Sequence, residues 1–67
     1  MPDEVSTREL VRRIEEAGYR WERSRGRGSH RVYVHPTLPP IVIPVHAMGR
    51  DVHIGLAKSI LRRAGLI

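Results

Sequence analysis

The chain has 67 residues, no cysteine, a formal net charge of +5 at neutral pH and a sequence pI near 11.1. This length predicts a single domain over residues 1–67 with a small core, and the lack of cysteine excludes disulfides, thiolate zinc sites and a cysteine nucleophile. No apolar run reaches the roughly 20 residues of a membrane span, and the first residues are polar and acidic, so we expect a cytoplasmic protein.

The positive charge is segregated along the chain. Residues 1–18 contain five of the seven acids, whereas residues 19–67 contain nine of the twelve basic residues. Eleven of those twelve are arginines, whose planar guanidinium group binds phosphate through two parallel hydrogen bonds. The pattern favours nucleic acid over a membrane surface as the partner, although a solvated basic surface has the same composition.

The first predicted element is a helix that begins with a capping box. Ser6 and Glu9 occupy the two capping positions, and Val5 and Leu10 are spaced to form the accompanying hydrophobic staple. Gly18 supplies the left-handed residue that ends the helix. The predicted apolar stripe consists of Leu10, Val11, Ile14 and Ala17.

Three strands are predicted next. Residues 19–24 alternate with a period of two, residues 25–29 form a hairpin turn, and residues 30–35 form the second strand. Residues 41–46 form the third, which we place at an edge of the sheet because Pro44 cannot donate a ladder hydrogen bond.

The last predicted element is a second helix that follows a flexible stretch over residues 47–50. Gly65 ends the helix, and its apolar positions are Leu56, Ala57, Ile60, Leu61 and Ala64. The sequence therefore predicts an α+β fold of order α-β-β-β-α, a three-stranded antiparallel sheet with both helices packed on one face.

This order is shared with the double-stranded-RNA-binding fold, and several short motifs resemble one family that has it. They are Gly28-Ser29-His30 at the start of the second strand, His35-Pro36 at its end, Pro44-Val45-His46, and Gly55, Ser59-Ile60-Leu61 and Ala64-Gly65 in the last helix. In order and spacing they resemble the HicA toxins over nearly the whole chain. The Arg25–Gly28 loop is longer than is usual in that family.

The resemblance implies a function and a partner. HicA toxins are metal-independent endoribonucleases that need no cofactor, cleave messenger RNA, depend on the histidine that corresponds to His30, and are neutralised by a HicB-type antitoxin in a type II toxin–antitoxin system. A histidine suits this chemistry because both of its protonation states are populated near neutral pH. We therefore assign His30 as general acid or base.

Other residues are candidates for substrate binding. His46 is either a second proton-transfer group or a structural residue. Trp21 and Tyr33 either stack on bases or belong to the core, and we favour the core for Trp21. The predicted RNA-binding group is Arg23, Arg25, Arg27 and Arg31, with Gly28 and Ser29 shaping the turn and presenting backbone N–H groups to phosphate.

Two other functions remain open from the sequence. A non-catalytic RNA-binding module would have the same fold order and basic surface, and a pure protein-interaction domain is a third class. A zinc site is disfavoured because the spacing of the four histidines matches no ligand motif.

Overall fold

The computed structural model describes residues 4–45 and 50–67. Its elements, in chain order, are β1 (Glu4–Ser6), α1 (Thr7–Glu16), β2 (Arg20–Trp21), β3 (His30–Val34), β4 (Ile41–Pro44), β5 (Asp51–His53) and α2 (Ile54–Arg63). The predicted α+β order is confirmed by α1, β2, β3, β4 and α2. Two strands that the sequence did not predict, β1 and β5, form a second, two-stranded sheet.

Helix α1 begins and ends where the sequence predicts. The Ser6 hydroxyl accepts a hydrogen bond of 3.1 Å from the Glu9 backbone N–H, which satisfies one of the unpaired donors of the first turn. The Glu9 carboxylate, however, binds Arg12 at 2.6 Å and Arg13 at 3.2 Å instead of returning to the cap. These arginines lower the pKa of Glu9 from 4.5 to about 2. At the other end, Gly18 has a φ of +105°.

The main sheet is antiparallel with the order β2-β3-β4. The edge position predicted for the strand with Pro44 is therefore confirmed. Its register pairs His30 with Pro44, Arg31 with Ile43 and Tyr33 with Ile41. Since paired residues lie on the same face and faces alternate along a strand, His30 and Arg31 point to opposite faces.

The first strand of this sheet is shorter than predicted. β2 covers only residues 20–21, although the Glu22 N–H still donates to the Val32 carbonyl at 2.8 Å. The Arg25 N–H then donates to the Glu22 carbonyl at 3.1 Å, which closes a turn and takes the chain out of the sheet. The strand predicted from the alternation over residues 19–24 was too long, because this turn uses backbone groups that a longer ladder would need.

The second sheet joins the starts of the two helices. Val5 of β1 pairs with Val52 of β5, and each strand leads directly into a helix. The Thr7 N–H and hydroxyl both donate to the Arg50 carbonyl, at 2.8 and 2.9 Å. Arg50 was expected to be flexible and here receives two hydrogen bonds, whereas residues 47–49 of that stretch lie outside the described residues.

Both helices pack on one face of the main sheet. Tyr33 and its partner Ile41 share this face with Ile43, and all three are at most 1% exposed. The other buried core residues are Leu10, Val11, Ile14, Tyr19, Val52, Ala57, Ile60, Leu61 and Ala64. Of the described residues, neither helix has the length and apolar character needed to cross a membrane.

Candidate active site

A groove of about 270 Å³ lies at the end of the β2–β3 hairpin. It is lined by Trp21, Arg23, Arg25, Gly26, Arg27, Gly28, His30, Arg31 and Val45. The groove extends around the end of the sheet, because the neighbours His30 and Arg31 point to opposite faces and still line it together. All four arginines predicted to bind phosphate are thus beside the predicted catalytic histidine.

Backbone contacts on three sides fix the position of His30. Its N–H donates to the Arg27 carbonyl at 3.0 Å, and the carbonyl of Ser29 accepts a hydrogen bond from the Val45 N–H. Gly26 closes the third side, since a Cβ atom built on it would lie only 2.5 Å from the His30 carbonyl oxygen. Gly26 also has a φ of +87°, so glycine is required there on both counts.

The imidazole of His30, in contrast, is exposed. Among the described residues no group forms a hydrogen bond with its ring nitrogens, and the residue lines the groove. An accessible ring can take a proton from one atom of a bound substrate and give one to another.

The arginines of the groove have no carboxylate partners within the described ranges. The ion pairs found there all belong to α1, where Glu9 and Glu16 bind Arg12 and Arg13. Glu22 precedes the loop but faces Ser24, whose hydroxyl and N–H donate to its carboxylate at 2.9 and 3.4 Å and lower its pKa. Within residues 4–45 and 50–67 the groove therefore has several positive charges and no lining acid, which favours an anionic ligand.

The groove includes the ring of Trp21, for which the sequence left both base stacking and the core open and favoured the core. Trp21 packs partly against the core, as favoured, but it also lines the groove. The Cζ atoms of Arg31 and Arg23 lie 3.9 and 4.7 Å from the centroid of its ring. The contact with Arg31 follows from the strand register, because Trp21 pairs with Tyr33 and Arg31 shares a face with Tyr33 two residues away. Tyr33 is buried in the core, so it does not stack on a base.

The remaining predicted residues have different positions. Gly28 lines the groove with a φ of +58°, whereas Ser29 is partly buried and contributes no lining atom. The hydroxyl of Ser29 has no hydrogen-bonded histidine among the described residues. His46, the second candidate for proton transfer, lies outside the described residues.

Two other histidines have structural contacts. The Nδ1 atom of His35 accepts hydrogen bonds from the N–H groups of Thr37 and Leu38, each at 3.1 Å, and its Nε2 atom lies 2.9 Å from the Ala17 carbonyl. The His53 Nδ1 atom accepts from the Gly55 N–H at 3.1 Å and caps α2. In the part of the chain that the structure describes, no three histidine or acidic side chains converge as metal ligands would.

One comparison with known proteins identifies a family. A family model described as the HicA toxin of bacterial toxin–antitoxin systems matches residues 7–66. The match covers both helices, the three-stranded sheet and every residue of the groove. No curated protein sequence matches the chain significantly.

Proposed function

The chain belongs to the HicA toxin family of toxin–antitoxin systems, and on that premise we propose that it is an endoribonuclease that cleaves messenger RNA without a metal ion, using His30 as its acid–base group. The observation that supports this most is the groove itself. It combines the exposed imidazole of His30 with four arginines, and no carboxylate of the described residues lines it. The cytoplasm, where messenger RNA is translated, is the proposed location.

The proposed reaction is an attack by a ribose 2′-oxygen on the adjacent phosphorus. His30 accepts the 2′-hydroxyl proton as the new P–O bond forms, and the bond to the 5′-oxygen then breaks. A protonated histidine or water supplies the proton to that leaving oxygen, which leaves a 2′,3′-cyclic phosphate and a 5′-hydroxyl. His46 remains a candidate for this second step.

The arginines have a separate role in this proposal. The non-bridging oxygens of the attacked phosphate gain negative charge as the fifth bond to phosphorus forms, and guanidinium groups fixed beforehand beside His30 stabilise that charge. The proposed contacts to phosphates along the bound strand are Arg23, Arg25, Arg27 and Arg31, and the backbone at Gly28 and Ser29 shapes the turn beside them. Binding of single-stranded RNA should weaken steeply with salt, because each phosphate contact releases counterions.

We propose that a HicB-type antitoxin is the protein partner. An acidic partner surface would complement the basic groove, and covering the groove would block access to His30. We expect the purified antitoxin to stop RNA cleavage. We also expect it to dissociate from the toxin more slowly when the salt concentration is lowered.

Incubation of the protein with a single-stranded transcript in the presence of a chelator tests the nuclease function. Discrete fragments should appear, and His30→Ala should slow their formation by roughly 10²–10⁴-fold, the usual contribution of acid–base catalysis. His53→Asn is the matched control, because asparagine also caps a helix and His53 lies outside the groove. Cleavage by His30→Ala at the parental rate would refute the assignment.

A second candidate function is a non-catalytic RNA-binding module. The structure favours it in one respect, since no hydrogen bond among the described residues orients the His30 ring. Binding of the transcript without fragments would support this module. The absence of both binding and cleavage would instead indicate a protein-interaction domain.

A further inference from the structure

The contacts of Trp21 with the guanidinium groups of Arg23 and Arg31 indicate a role that neither the family match nor the acid–base chemistry assigns. Trp21 lies opposite Tyr33 in the sheet register, with one side against the core and the other in the groove. Arg31 precedes Tyr33 by two residues on the same face, and Arg23 follows Trp21 by two residues. The sheet register therefore brings Arg31 to the indole ring, and the turn that follows β2 brings Arg23 to it.

This arrangement brings two like charges together without a carboxylate from the described residues to offset them. The indole ring compensates in part, because the negative face of its π-system attracts each cation. A guanidinium that stacks through its plane keeps its N–H groups free at the edge, where they match the oxygens of a phosphate. An anion bound at those edges offsets the electrostatic repulsion between the two guanidinium groups.

We propose that Trp21 is a positioning residue, which holds Arg23 and Arg31 as a binding site for one backbone phosphate of single-stranded RNA beside the phosphate that is cleaved. The inference rests on the proposed function of the groove. It also predicts that no base stacks on Trp21, because the arginines occupy the ring that a base would need. The loop residues Arg25 and Arg27 then contact the phosphate beside His30, which is the one that is cleaved.

The test uses the full chain and a 2′-O-methyl oligoribonucleotide, which binds but has no 2′-hydroxyl to attack. Trp21→Leu should weaken its binding by roughly three- to tenfold, the loss expected for one or two cation–π contacts. Trp21→Phe keeps an aromatic face and should bind closer to the parent. With a cleavable oligonucleotide, Trp21→Leu should raise KM by a similar factor and leave kcat within about twofold, since binding rather than chemistry is lost.

A second variant keeps Trp21 and so protects the test against misfolding. Arg31→Lys retains the charge but loses the planar group, and it should weaken binding as Trp21→Leu does. Arg20→Lys is the control, because Arg20 lies on β2 outside the groove, and it should bind as the parent does. Trp21 is the single tryptophan of the chain, so its fluorescence in the parent should change on titration with the 2′-O-methyl oligonucleotide.

The outcomes separate this inference from the proposed function. Any one of three results overturns the positioning role, even if the protein cleaves RNA. The first is that Trp21→Leu and Arg31→Lys bind as the parent does, and the second is that Trp21→Phe binds as weakly as Trp21→Leu. The third is that the fluorescence of the parent does not change on titration. Weakened binding in the expected order supports it, even if the protein proves to be a module that does not cleave. A parent that binds no oligonucleotide overturns both.

Discussion

Substitution of Gly26 by alanine tests whether the loop over residues 23–28 determines the position of His30, the proposed catalytic residue. The new Cβ atom would lie 2.5 Å from the His30 carbonyl oxygen, whereas such contacts essentially never fall below 3.0 Å. The loop and β3 must therefore separate by at least about 0.5 Å. Since a displacement of about 1 Å at a catalytic group can cost about 10²-fold in rate, we expect cleavage to fall by roughly 10- to 100-fold.

Gly65→Ala provides the matched control for that substitution. Gly65 has a φ of +74°, close to the +87° of Gly26, but its Cβ would meet only the Leu38 side chain at 3.9 Å. Both variants should lose about 1–2 kcal/mol of stability from the left-handed backbone, and thermal denaturation should show a fall of roughly 4–8 °C in Tm per kcal/mol. Only Gly26→Ala should lose cleavage of a labelled oligoribonucleotide. Parental cleavage by Gly26→Ala would refute the argument that this contact positions His30.

Three further predictions concern stability. Ser6→Ala removes the acceptor at the start of α1 and should lower the free energy of unfolding by about 1 kcal/mol in urea denaturation, whereas Ser6→Asp, which also caps, should retain most of it. The pKa of Glu9 is lowered from 4.5 to about 2, so the stability from its ion pairs is complete above pH 4.5 and is lost as the pH falls towards 2. The free energy of unfolding of Glu9→Gln, measured against pH, should therefore change less over this range than that of the parent. Identical slopes for the two proteins would contradict the ion pairs. His35→Ala leaves two backbone N–H groups and one carbonyl without their side-chain partner and should lower the stability by about 1–3 kcal/mol, with RNA cleavage by the folded fraction unchanged. A Tm within 1–2 °C of the parent for His35→Ala would show that water replaces those contacts.

The helices and the order of the main strands were predictable because short-range chemistry specifies them. Ser6 caps α1 through the backbone of a residue three positions away, and Gly18 ends it through its own φ. Pro44 identified the edge strand because its missing N–H excludes a central position. Each of these signals acts within a few residues, so no knowledge of the tertiary structure was needed.

The parts that the sequence did not reveal depend on contacts between distant residues. β1 and β5 have three residues each, too few for a periodic pattern, and they exist because they pair with each other. The close approach of Gly26 to His30 likewise depends on how the loop folds against β3. The same holds for Trp21, because its second role arises from Arg31 on the neighbouring strand.

The ladder between β1 and β5 affects the order in which the protein folds during its synthesis on the ribosome. It connects Glu4 with His53, so it closes a loop of about 50 residues, which carries a larger entropic cost than any helical turn or hairpin of the chain. The hairpin that carries the groove can form as soon as residues 20–45 emerge from the exit tunnel. The ladder must wait until β5 has been synthesised, so the start of α1 pairs with the segment before α2 only after residues 51–53 have left the exit tunnel.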